Sequence, residues 1–136
     1  MSKVFVNGTF DILHIGHIEL LNWAKSHGDY LLVAIDSDER VSQLKGCDRP
    51  VIDQNTRYHI MKNLKSVDEV AIFSSDEGLT NLIREYQPDI MIVGSDWEGR
   101  KVIGSEYAKE LKFYERISTH STTQILENYV NRRHVP

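Results

Sequence analysis

Apolar, β-branched runs recur along this chain with helix-length stretches between them, and that alternation is the strongest constraint on its fold. KVFVNG (Lys3–Gly8), YLLVAI (Tyr30–Ile35), EVAIF and DIMIVG (Asp89–Gly94) have the length and residue types of strands. YLLVAI is apolar at almost every position, as a strand buried on both faces must be. IELLNWAKSHGD carries Ile18, Leu20, Leu21 and Ala24 at helical spacing and predicts a helix stopped at Gly28. SDERVSQL predicts a short helix capped by Ser37 or Asp38. NTRYHIMKNLKSV predicts a helix that turns Ile60, Met61, Leu64 and Val67 inward, and EGLTNLIREYQP a helix ended by Pro88. KGCDRPVIDQ (Lys45–Gln54) and SDWEGRKVIGS lack periodicity and read as loops. EYAKEL predicts a further short helix and KFYERI a last strand. STTQILENYV predicts a C-terminal helix with Ser121 as N-cap, and residues 130–136 a tail. The pattern as a whole predicts an α/β fold, a Rossmann-like open parallel sheet of about five strands with helices on both faces. The expected organisation is one domain over residues 1–136. Ligands of such sheets bind beyond the carboxyl ends of the strands, where strand order switches, and Gly8, Gly94 and the loop after Ile35 fall on that edge.

Charge and composition narrow the partners. The formal net charge of −4 argues against a nucleic-acid binder, which would show a basic face, but leaves room for a small anionic substrate. The one cysteine, Cys47, forms no disulfide within the chain and supplies no cysteine-based zinc site, which fits a reducing, cytoplasmic setting. MSKVFVNGTF has no signal-peptide pattern, and no apolar run approaches a membrane span.

The chemistry concentrates in NGTFDILHIGHIELLNWA. His14 and His17 lie three residues apart at a helix start and so share a face, and Gly16 between them admits a ligand close to the backbone. Exposed helix N–H groups and two imidazoles make a cradle for phosphate. Two other readings stand beside it: histidines packed against an apolar helix, and a metal pair with Asp11 as third ligand.

GTFDILHIGHIELL resembles the signature of the H-x-G-H nucleotidyltransferase superfamily, and in particular its cytidylyltransferase family. GDYLLVAIDSDE, VDEV, VGSDWEG and RISTHSTTQIL are similar to further blocks of that family in the same order. The resemblance implies transfer of a nucleotidyl group. A phosphate oxygen of a second substrate attacks the α-phosphorus of a nucleoside triphosphate, pyrophosphate leaves, and Mg²⁺ arrives with the triphosphate. It implies that His14 and His17 contact the triphosphate and the transition state, with Thr9, Phe10 and Gly16 in the same nucleotide-binding turn. Asp11 is the motif acid, either on the substrate or capping the turn or the helix N-terminus. Lys45 matches a substrate-phosphate lysine and Arg57 an arginine on a helix facing the site; Arg49 is a weaker candidate. Asp96 can bind ribose hydroxyls or a base edge, and Trp97, followed by Glu98, can wall a base or sugar. Arg116 matches an arginine that bridges phosphates, a role suited to a guanidinium. Ser121, Thr122 and Thr123 form a second anion site at the last helix, and Ser121 also reads as a plain cap.

The resemblance divides between two subfamilies. DWEG and Arg116 are similar to glycerol-3-phosphate cytidylyltransferases, making CTP and glycerol 3-phosphate the leading reactants. DRPV and the long RKVIGSEYAKELKF segment are similar to the adenylyltransferase domain that activates heptose 1-phosphate, making a sugar 1-phosphate with ATP or CTP the alternative. Lys65 stands where the first subfamily has arginine, and His120 where it has a small residue. A non-catalytic nucleotide-binding module is the reading from another class. A homodimer is expected from the resemblance alone. Cys47 reads as a loop thiol, His27, His59 and His134 as surface residues, and Tyr107, Phe113 and Tyr114 as packing for the last strand or a dimer contact.

Overall fold

The computed structural model describes residues 1–115 and 125–128. Five strands form one parallel sheet: β1 (Lys3–Gly8), β2 (Tyr30–Asp36), β3 (Glu69–Phe73), β4 (Ile90–Gly94) and β5 (Glu110–Tyr114), in the order β3-β2-β1-β4-β5. Four helices lie between them: α1 (Ile15–Lys25), α2 (Asp38–Lys45), α3 (Gln54–Lys62) and α4 (Asp76–Tyr86). The chain runs outward from β1 to β3, then returns to the other side of β1 for β4 and β5. Strand order therefore reverses between β1 and β4, which opens a crevice above Gly8 and Gly94.

Period-two alternation explains why both faces are covered. Val4 and Val6 of β1 and Leu31, Val33 and Ile35 of β2 join Leu21, Ala24 and Met61 in one buried core. Phe5, Leu32 and Ala34 point the other way and join Leu79, Ile83 and Met91 in a second. The helix starts are capped as their sequences require: Ser37, Asp53 and Ser75 accept from the main-chain N–H groups of Arg40, Thr56 and Gly78.

The structure revises three local expectations. Helix α1 ends at Lys25 with Ser26 as its cap, not at Gly28. Gly28 serves a close approach instead, since a Cβ there would meet Val4 Cγ2 at 2.7 Å and the Ser2 carbonyl at 2.8 Å. Helix α3 stops at Lys62, so Leu64 and Val67 lie beyond it, and Ile60 is exposed while Met61 and Val67 are buried. Helix α4 does end ahead of Pro88, with Gln87 making the turn in the left-handed region at φ 52°. EYAKEL is not a helix: a single 3₁₀ turn at Ser105–Tyr107 leads straight into β5. The Glu110 N–H donates to the Asp89 carbonyl, and ladder bonds to β4 override the helical propensity of the segment. The expected end of that strand beyond Glu115 and the Ser121 cap lie outside the described residues. Among the described residues no helix is long and apolar enough to cross a membrane.

Candidate active site

Two chambers open at the carboxyl edge of the sheet and meet at Gly94 and Asp96. The first, of about 400 Å³, is lined by His14, Gly16 and His17 on one side and by Asp96 and Tyr114 on the other. The second, of about 660 Å³, is lined by Thr9, Asp36, Arg40, Lys45 and Trp97 among others. A Cβ on Gly94 would meet Asp96 Oδ1 at 2.6 Å, so the glycine leaves that carboxylate its place at the junction.

The histidines are built into the start of α1. His14 is its N-cap, and its Nδ1 accepts from the Gly16 N–H at 3.1 Å. His17 Nδ1 accepts in return from the His14 N–H at 3.2 Å, closing a capping box with imidazoles in place of the usual hydroxyl and carboxylate. A ring whose Nδ1 accepts carries its proton on Nε2 when neutral, so the box sets one tautomer for both rings. The rings stack at 3.8 Å between centroids, and Phe10 meets His17 edge-on at 5.2 Å. Phe10 itself is buried, with φ 50°. Both histidines are half-buried and line the first chamber, which sets aside the packed-core reading.

Asp11 and Arg57 stand behind the site, which corrects their expected place against the substrate. Neither lines a chamber. Asp11 does not cap α1; buried, it accepts from the N–H groups of Val51 (2.9 Å) and Ile52 (2.8 Å) and from Arg49 Nε (3.1 Å). That commitment removes the third ligand from the metal reading of the histidine pair, and among the described residues no cluster of three or more His, Cys, Asp or Glu is placed to hold a metal ion. Arg57 is fully buried, so it is not a surface arginine. It donates to the carbonyls of Ile52 (2.9 Å), Thr9 (2.9 Å) and Asp36 (2.7 Å) and to Asp38 Oδ1 (2.8 Å). One guanidinium thus ties the turn after β1, the end of β2, the start of α2 and the loop beyond Lys45.

Lys45 ends α2 and lines the second chamber. Burial, and then the neighbouring Arg49 cation, hold its ammonium below the ordinary lysine range, against the opposing pull of Asp36 and Asp11. Thr9 lines the same chamber and donates from Oγ1 to Asp36 Oδ2 at 3.1 Å. Trp97 is 44% exposed on its wall. Arg116, Ser121, Thr122 and Thr123 lie outside the described residues. Sequence reasoning passed over Asp36 and Arg40. The signal was available: Asp36 directly follows YLLVAI on the carboxyl edge, and Arg40 sits four residues on.

The chain belongs to the cytidylyltransferase-like family, whose model matches residues 5–128. The family takes its name from transfer of a cytidylyl group. The bifunctional protein HldE of Campylobacter fetus is 47% identical over 125 residues, covering 92% of this chain and 27% of HldE. That of Nitratiruptor is 44% identical over 124 residues, covering 91% of this chain and 27% of its own length. The chain therefore spans about a quarter of these relatives. The crystal structure of the lipopolysaccharide core biosynthesis protein from Thermoplasma volcanium superposes with a TM-score of 0.66 at 30% identity, over 89% of this chain and 99% of that one.

Proposed function

We propose that this chain joins a sugar 1-phosphate, with heptose 1-phosphate the leading candidate, to the nucleotidyl group of ATP. The carrying observation is the pair of chambers meeting at Gly94 and Asp96, with the imidazoles over one and Lys45 over the other. The choice of substrate is supported by the similarity to HldE proteins and by the DRPV and RKVIGSEYAKELKF segments, which resemble the heptose-1-phosphate adenylyltransferase domain. This support favours the sugar reading over CTP with glycerol 3-phosphate, for which DWEG remains the argument.

In this reading the triphosphate lies against the start of α1 with His14 and His17, and the sugar phosphate lies in the second chamber with its phosphate on Lys45. A phosphate oxygen of the sugar attacks the α-phosphorus in line. The bond to the bridging oxygen breaks, and its electron pair leaves on pyrophosphate. No covalent enzyme intermediate is needed. The protein holds two mutually repelling anions together and places donors where charge builds in the transition state. Asp96, at the junction of the chambers, suits a nucleoside hydroxyl. Arg116, Ser121, Thr122 and Thr123 complete the phosphate contacts in this proposal. Mg²⁺, carried by the triphosphate, would neutralise part of the charge between the two reactants. A homodimer belongs to the proposal by resemblance, and sedimentation equilibrium measures it.

Pyrophosphate release tests the assignment, with Mg²⁺, each nucleoside triphosphate in turn and a panel of phosphate esters. The expected result is turnover with ATP and heptose 1-phosphate. Turnover confined to CTP with glycerol 3-phosphate would return the chain to the other subfamily, and silence across the panel would overturn both.

A further inference from the structure

The second chamber holds a polar pair that the reaction itself does not require. Asp36, the last residue of β2, is 8% exposed and fixed from two sides: Oδ1 accepts from Arg40 Nε at 2.9 Å, and Oδ2 from Thr9 Oγ1 at 3.1 Å. Arg40 is fixed in turn. Its Nη2 donates to Asp76 Oδ1 at 2.7 Å, and its guanidinium carbon sits 5.2 Å from the Phe73 ring centroid. The Arg40 side chain is only 15% exposed, yet the residue lines the chamber beside Lys45.

A guanidinium carries five N–H groups, and Nη1 of Arg40 makes no hydrogen bond among the described residues. Each Asp36 oxygen retains acceptor capacity beyond its one bond. The pair is also balanced in charge, while Asp76, with its side chain 71% exposed, sits in solvent. A balanced pair draws a second phosphate weakly. It offers donors and acceptors at fixed positions instead, which is what a hydroxyl needs. Trp97 adds a flat apolar wall, and about 660 Å³ is roomier than a three-carbon ester requires. A sugar ring presents apolar C–H faces and a rim of hydroxyls, and it fits such a chamber with its phosphate on Lys45.

We propose that Asp36 and Arg40 are specificity-determining residues that read the ring hydroxyls of the second substrate and so select a sugar phosphate over an acyclic phosphate ester. The inference rests on the sugar 1-phosphate reading above and deepens it. Hydrogen bonds to charged groups at this strength imply a roughly 10- to 100-fold loss of kcat/KM for the sugar phosphate in Arg40→Ala. The KM for the triphosphate should stay unchanged, and Arg40→Lys should recover only part of the loss, since the fork is gone.

The test is steady-state kinetics on wild type, Arg40→Ala and Arg40→Lys with heptose 1-phosphate and its deoxy analogues, alongside thermal melts. For the hydroxyl that Arg40 reads, the penalties of the deoxy substrate and of Arg40→Ala should not add, which a merely structural brace would not produce. Asp76→Asn is the second variant. It strips the charge from an outer anchor of Arg40 without touching the chamber, and it should raise the sugar-phosphate KM modestly with little change in melting temperature. A wild type active on sugar 1-phosphates whose kcat/KM is equal in Arg40→Ala, or whose two penalties add for every deoxy analogue, overturns this inference alone. A wild type that turns over only acyclic esters overturns it together with the reading beneath it.

Discussion

His17 spends Nδ1 on the main chain of His14, so the nitrogen that carries the proton is Nε2. Its pairing with His14 was legible in the H-x-G-H spacing, but the tautomer came from the folded helix start. In the proposed mechanism that donor stabilises charge built up in the transition state. Replacing His17 with alanine should therefore lower kcat by ~10²–10³, read in the pyrophosphate assay, while the circular dichroism spectrum stays native. Lys45 makes a separate statement about pH. Its ammonium is held below the ordinary lysine range by burial and by Arg49, so the charged form is lost at a lower pH than usual. If that charge holds the sugar phosphate, kcat/KM falls on the alkaline side before an ordinary lysine would titrate. Lys45→Arg, which stays charged, should carry the alkaline limb to higher pH. A pH profile of both proteins with the same limb would take Lys45 out of phosphate binding.

At the scale of elements, the site depends on a segment returning to where it began. α2 leaves β2 at Asp36, and the loop after Lys45 comes back through Arg49–Ile52, where Asp11 and Arg57 bind it. Nothing in NTRYHIM distinguishes Arg57 from a surface arginine, because helical periodicity does not say which charged residue points inward. Only packing does, by placing three main-chain carbonyls around one guanidinium. Arg57→Met should cost on the order of 3–5 kcal/mol of stability, since it strips a buried network of its donor, and urea denaturation measures it. Arg57→Lys keeps the charge without the fork and should fall between that variant and wild type. A Met variant as stable as wild type would show that the carbonyls find other partners. The misread EYAKEL carries a related lesson. Its residues favour a helix locally, and the ladder beside β4 decides otherwise.

At the scale of the molecule, the two ends of the sheet do different work. The carboxyl edge carries the chambers, while at the opposite edge Asp89 binds β1 to the start of β5. Its carboxylate accepts from the Lys3 N–H at 2.7 Å and pairs with Lys109 at 3.1 Å, and these bonds hold its carboxyl below the ordinary aspartate range. A carboxyl depressed in the folded state contributes stability above its unfolded pKa, and that contribution is lost as pH falls through the folded value. Asp89→Asn should thus melt below wild type at pH 7. The gap should close as the pH drops beneath the ordinary aspartate range, with kcat unchanged because the chambers lie at the other end. A gap that persists at acid pH would assign the loss to geometry instead of charge. The sequence by itself determined the α/β alternation, the carboxyl edge as the place where the chambers open, and the His14–His17 pair, because periodicity and close spacing are local properties written in the order of residues. Only the tertiary structure decided that Asp11 and Arg57 brace the site from behind, that Asp36 and Arg40 face its second chamber, and that two chambers meet at Gly94. Those relations join residues far apart in the chain, and the strand order that brings them together is set by packing on both faces of the sheet.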